Sequence, residues 1–207
     1  MSLKALIYGL FIFCGQQWRM NIAAAVKSLN ERAAREKWYH VCDPTLAFKD
    51  PLHERFLALW KSKAGSRPMP TRSDMTLRDL KDFLKDIIIW QRDGPSRYSW
   101  RLVGTKAGEV VGHQTGKSFE ESIPPEHIPR WIGCGDLILD GGRPMRFVGR
   151  VHLQGKEYLT AENLLVPLAN DSGEPTFIMG LCRYSPRSSE AEESWESQIA
   201  SIPAAFL

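Results

Sequence analysis

The chain has 207 residues, 43% hydrophobic and 25% charged, with a formal net charge of +3. That composition is ordinary for a globular protein, so wholesale disorder and fibrous repeats are excluded, and the field is weak for a nucleic-acid partner. Residues 1–70 hold 11 Lys/Arg against 5 Asp/Glu, while Glu190, Glu192, Glu193 and Glu196 make the tail acidic; solvated surface accounts for both.

In chain order, Lys4 and the apolar run Ala5–Cys14 have the outline of an export signal. Trp18 and Arg19 are too bulky for its cleavage region, and the run is well short of the roughly 20 residues of a membrane span. Residues 1–19 therefore read as a misplaced start, with Met20 as the alternative, or as a hydrophobic arm. Residues 21–37 have helical composition. Pro51 suits a helical first turn, and Leu52, Phe56, Leu59 and Trp60 recur at helical spacing behind it. After the loop at residues 64–70, Thr76 and Asp79 stand in capping-box positions ahead of Leu77, Leu80, Phe83 and Leu84.

From Ile87 the pattern changes to strands. Ile87–Gln91 and Tyr98–Val103 flank Asp93-Gly94-Pro95 and read as an antiparallel hairpin. Thr105 is placed to cap a short helix ending at Gly112, and Trp131–Leu139 suggests another, interrupted by Gly133 and Gly135. Met145–Leu153 then alternates, with Met145, Phe147, Gly149, Val151 and Leu153 on one face and Arg146, Val148, Arg150 and His152 on the other. Tyr158–Leu168 and Thr176–Tyr184 complete three strands joined by tight turns, which predicts a mostly antiparallel sheet with helices on one face.

This order, two strands, short helices, three strands, resembles the PAS fold. Leu57–Trp60, Pro70–Asp74, Arg101–Thr105, Gly112–Ser118, Leu165–Leu168 and Met179–Leu181 are similar, in order and spacing, to a family of stand-alone bacterial PAS-type domains. The resemblance runs from about Asp50 to Ser185. It implies an α+β fold: a PAS-like five-stranded antiparallel sheet with short helices on one face, preceded by an N-terminal helical extension. The layout is then residues 1–49 as extension, 50–186 as the PAS-like domain and 187–207 as an acidic tail. It further implies a sensory or regulatory role through small-ligand binding, protein contacts or both.

No GxSxG, HExxH, P-loop or other catalytic motif is present, so no enzymatic activity and no output domain are expected. Cys14, Cys42, Cys134 and Cys182 lack metal or redox spacing and read as reduced thiols of a cytoplasmic protein. Among PAS cofactors, photoreactive flavin calls for a cysteine that Thr105–Ser118 lacks. Haem calls for a histidine on Trp131–Leu139, where only His127 stands at the edge. Neither haem nor flavin is expected, and no metal. Tyr98, Trp100, Trp131, Met145, Phe147 and Val151 are the candidate lining of a pocket for an unidentified small organic ligand, against the plainer reading that they fill the core.

The expected partners are a second copy of the chain and an unidentified signalling protein, with no membrane span. The homodimer expectation rests on the apolar stripe Ala23, Val26 and Leu29, which a second copy would cover. The alternatives are a ligand-binding protein without a signalling role, or a non-specific nucleic-acid binder using Arg146, Arg150, His152 and Arg183. Nucleic acid is not expected, since that face lacks stacking aromatics.

Overall fold

The computed structural model describes residues 11–14, 17–187 and 199–207. The acidic stretch Glu190–Glu196 lies outside them. Strands β1 (Phe11–Cys14) and β2 (Gln17–Met20) form an antiparallel hairpin at the end of the apolar run. Helix α1 (Ile22–Arg35) follows, capped by the Asn21 side chain accepting from the Ala24 N–H, with Arg32 and Arg35 in its last turn opposing the helix dipole.

The main sheet has six strands, all antiparallel, in the order β3-β6-β7-β8-β4-β5. Five of them are those expected from the sequence: β4 (Ile87–Gly94), β5 (Arg97–Val103), β6 (Met145–Arg150), β7 (Leu159–Ala169) and β8 (Pro175–Pro186). The sixth, β3 (His40–Asp43), comes from the lead-in and pairs with β6, His40 opposite Gly149 and Cys42 opposite Phe147. The expected boundary at residue 50 thus cuts through one sheet. Residue 149 must be glycine for this pairing, because a Cβ there would lie 2.5 Å from the Tyr39 carbonyl oxygen and 2.7 Å from His40 Cβ. Gly149→Val is expected to lower stability by about 1–3 kcal/mol in a urea melt, the usual cost of overpacking.

Helices cover both faces of the sheet, not one. On the inner face, Val26, Leu29, Trp90, Trp100, Phe119, Ile138, Phe147 and Leu165 form one core under α1, α4 (Thr105–Val111), α5 (Phe119–Ser122) and α6 (Ile128–Gly141). On the outer face, Ile87, Ile89, Leu164, Val166, Leu168, Met179 and Leu181 pack under Phe56, Leu57 and Trp60 of α2 (Pro51–Ala64) and Leu80 of the single-turn α3 (Leu77–Leu80). The cause is in the strands. β4, β7 and β8 are apolar at consecutive positions, as strands buried on both sides must be. Trp60 Nε1 donates to the Pro167 carbonyl at 2.8 Å and fixes α2 on the sheet.

The apolar stripe of α1 is covered within the chain. Val26 and Leu29 are buried in the inner core, and Ala23 is exposed. The Asn30 amide donates to the Cys42 and Phe206 carbonyls at 3.0 and 2.7 Å, and its oxygen accepts from the Cys42 N–H at 2.8 Å. Helix, edge strand and C-terminal segment are thereby one unit, and Val26 and Leu29 of the stripe are occupied by the chain's own core. Two further local expectations shift. Gly104, not Thr105, occupies the N-cap of α4, and α6 runs unbroken through Gly133 and Gly135 to a left-handed Gly142.

Candidate functional site

A cavity of about 100 Å3 lies between the inner sheet face and helices α4 and α6. Ile88 and Trp90 (β4), Phe147 and Gly149 (β6), Val151 just beyond it, Ala161, Asn163 and Leu165 (β7), and Cys182 and Tyr184 (β8) form its floor. Val110 and Val111 of α4 with Arg130, Trp131 and Cys134 of α6 form the roof, and His40 of β3 closes one side. Residues 130, 131 and 134 share a helical face, which is why α6 presents a cation, an indole and a thiol together.

Of the six residues expected to line a pocket, Trp131, Phe147 and Val151 do. Tyr98, Trp100 and Met145 do not, and all three are at most 1% exposed within the core. Phe119 explains the first two: its ring lies 5.5 Å from Tyr98, 5.4 Å from Trp100 and 5.3 Å from Trp90, filling the space beneath α6. Their polar ends are also tied down. Tyr98 donates to Asp136 at 2.7 Å and accepts from Arg92 at 3.1 Å, and Trp100 Nε1 donates to Ser122 Oγ at 3.0 Å. Gly135 makes this possible, since a Cβ there would lie 2.7 Å from Tyr98 Cζ. The sequence reading missed His40, Trp90, Arg130 and Asn163. Only Arg130 carries a local signal, standing one residue before Trp131 on the expected helix.

Three of the lining residues hold a buried polar atom with no hydrogen-bond partner: Trp90 Nε1, Trp131 Nε1 and Asn163 Oδ1. A buried polar atom left without a partner costs about 1–3 kcal/mol, so three around one cavity are a concentrated deficit. The titratable groups are neutral apart from the arginines. Burial, helped by the Arg130 charge, lowers the His40 pKa to about 3, and burial raises the Cys134 and Cys182 thiols to about 12. The Cys134 thiol lies 3.7 Å from His40 Nε2, a contact between two uncharged groups. These thiols are protonated at neutral pH and are poor nucleophiles.

A ring that refuses a proton when folded and accepts one near pH 6.5 when unfolded makes stability full above about pH 6.5 and declining as pH falls toward 3. His53, also lowered by burial, acts in the same direction. The expected result is that the His40 ring resonances do not titrate between pH 8 and 5 by NMR, and a midpoint near 6.5 would contradict the burial.

The arginine stripe on the outer face is internally neutralised. Arg146, 1% exposed, pairs with Asp43 at 2.9 Å and Glu162 at 2.7 Å, and Arg183 pairs with Asp50 at 2.7 Å and Asp86 at 3.1 Å. Two of the four groups proposed for phosphate contact are thus engaged with carboxylates. Among the described residues, no group of three or more His, Cys, Asp or Glu side chains is placed to hold a metal ion. No described helix is long and apolar enough to cross a membrane.

Solved structures that the chain matches include a sensory box histidine kinase/response regulator from Burkholderia thailandensis E264, at 14% identity over 61% of this chain and 98% of that one, TM-score 0.37. The light state of the blue-light photoreceptor Aureochrome1 LOV is 12% identical over 60% of this chain and 98% of its own, TM-score 0.39. The Rhodobacter sphaeroides LOV protein is 16% identical over 75% and 80% respectively, TM-score 0.38. No curated protein matches the chain. The family model described as PAS domain matches residues 48–183, which hold β4 to β7, most of β8 and the helices between them. On that match, over more than half of its length, the chain belongs to the PAS domain family.

Proposed function

We propose that this PAS domain is a non-enzymatic sensory or regulatory module of the cytoplasm that binds a small organic ligand between its sheet and α6, and passes the bound state to a protein partner. The observation that carries the reading is the cavity walled by residues with three orphaned polar atoms, Trp90 Nε1, Trp131 Nε1 and Asn163 Oδ1. A packed core avoids such atoms, whereas a ligand bearing an acceptor and a donor satisfies them.

Size restricts the occupant. Drug-sized ligands occupy pockets of about 300 Å3 or more, and the smaller volume of about 100 Å3 supports an occupant smaller than a flavin ring system or a haem. An apolar cavity of about 150 Å3 accepts benzene, so about 100 Å3 encloses no more than part of a single ring, and the polar substituents of such a ligand extend to the open side of the pocket. Native mass spectrometry of freshly purified protein tests the reading. A co-purifying molecule of low mass is expected, displaced in Ala161→Leu, which pushes a larger side chain into the cavity from β7. An empty protein whose melting temperature is unmoved by any single-ring compound would overturn it.

A further inference from the structure

We infer that the ligand is an aromatic carboxylate, anchored through its carboxylate by Arg130. The inference rests on the small-ligand reading above and adds the chemical class. Arg130 lines the cavity, and burial lowers its pKa. Its Nη1 donates to the Trp38 carbonyl at 3.2 Å, and its Cζ lies 5.6 Å from the Trp131 ring centroid. Among the described residues no carboxylate pairs with it. The other partly or fully buried arginines with ion pairs behave differently. Arg92 pairs with Asp136 and Asp140, Arg146 with Asp43 and Glu162, and Arg183 with Asp50 and Asp86. Arg130 has no carboxylate, and neither does the half-buried Arg72, whose guanidinium donates to the Met75 carbonyl; what sets Arg130 apart is its place at the cavity.

The cavity offers no substitute. None of its lining residues is an aspartate or glutamate, and His40, Cys134 and Cys182 are uncharged at neutral pH. Arg130 is half-buried, and a carboxylate matches its planar fork with two charge-assisted hydrogen bonds. The two indole N–H groups are further donors for a ligand acceptor to meet, and Asn163 Oδ1 takes a ligand donor such as a ring hydroxyl. The rest of the lining, Trp90, Trp131, Phe147 and the aliphatic side chains, suits a flat apolar ring. A hydroxybenzoate combines these features at the size of one ring. Inorganic phosphate would answer the cation alone and leave the aromatic walls uncovered.

The test is calorimetric titration of the full chain with benzoate, 4-hydroxybenzoate, the neutral isostere benzamide, and inorganic phosphate. Both carboxylates are expected to bind at least about tenfold more tightly than benzamide, the effect of one charge-assisted pair, and phosphate more weakly still. Arg130→Gln should erase the preference by weakening benzoate and leaving benzamide unchanged. Arg130→Lys, which keeps the charge and loses the fork, should retain part of it. Equal binding of benzoate and benzamide by the unaltered chain overturns the inference and leaves the small-ligand reading standing. Phosphate binding as tightly as benzoate also overturns it, in favour of a simple anion site. Binding of neither aromatic compound, with an empty protein in the mass spectrum, overturns both.

Discussion

A chain begun at residue 50 is expected to lose cooperative folding, whereas one begun at Met20 keeps it. The longer deletion removes α1 and β3, and with them Val26, Leu29, Ala33, Trp38 and Cys42, all at most 8% exposed in the inner core. Burying one large apolar side chain is worth about 1.5–3 kcal/mol, and a domain has only about 5–15 kcal/mol in total. The same cut strips β6 of its edge partner and Arg146 of the Asp43 carboxylate. A start at Met20 keeps these elements and Met20 itself, which packs against the inner core. Urea melts followed by circular dichroism decide the matter. A sharp transition in the residue-50 chain would show the lead-in to be an appendage.

Arg146→Met is expected to destabilise the protein by about 3–5 kcal/mol, because it takes from the buried Asp43 carboxylate the guanidinium 2.9 Å away. Asp43 and Arg146 are each 1% exposed, so water cannot replace the lost partner, and Glu162 loses its 2.7 Å bond to Arg146 Nε. Removing the charge from every member should recover most of the loss, since replacing a buried pair as a whole is often neutral. The triple variant Arg146→Met, Asp43→Asn, Glu162→Gln is therefore predicted to melt closer to the unaltered protein than Arg146→Met alone. A single variant within about 1 kcal/mol of the unaltered protein would place the pair in the class of weak surface bridges.

Arg146 also marks where the sequence stops being readable. Strand alternation correctly puts it opposite Phe147, but its partner Asp43 is separated from it by 103 positions, and nothing local announces that pairing. The edge strand β3 is hidden for the same reason: four residues, His40–Asp43, acquire strand character only by pairing with β6. The covered outer face was missed, although the strands carry a signal for it. Ile87–Trp90 and Leu164–Leu168 are unbroken apolar runs, and a strand with one wet face alternates instead. At the site, Trp131, Phe147 and Val151 follow from helical and strand periodicity. Tyr98 and Trp100 share the inward face but are displaced from the cavity by Phe119, whose position depends on a one-turn helix that periodicity cannot resolve.

The indole N–H region of a 15N correlation spectrum tests the ligand site most directly, because the tryptophans differ in what already satisfies them. Trp60 Nε1 is bonded to the Pro167 carbonyl and Trp100 Nε1 to Ser122 Oγ, while Trp90 Nε1 and Trp131 Nε1 have no partner. On addition of 4-hydroxybenzoate the Trp90 and Trp131 signals are expected to move downfield as they gain an acceptor, and those of Trp60 and Trp100 to stay in place. Unchanged Trp90 and Trp131 signals at saturating ligand, or shifts confined to the other indoles, would contradict the ligand site.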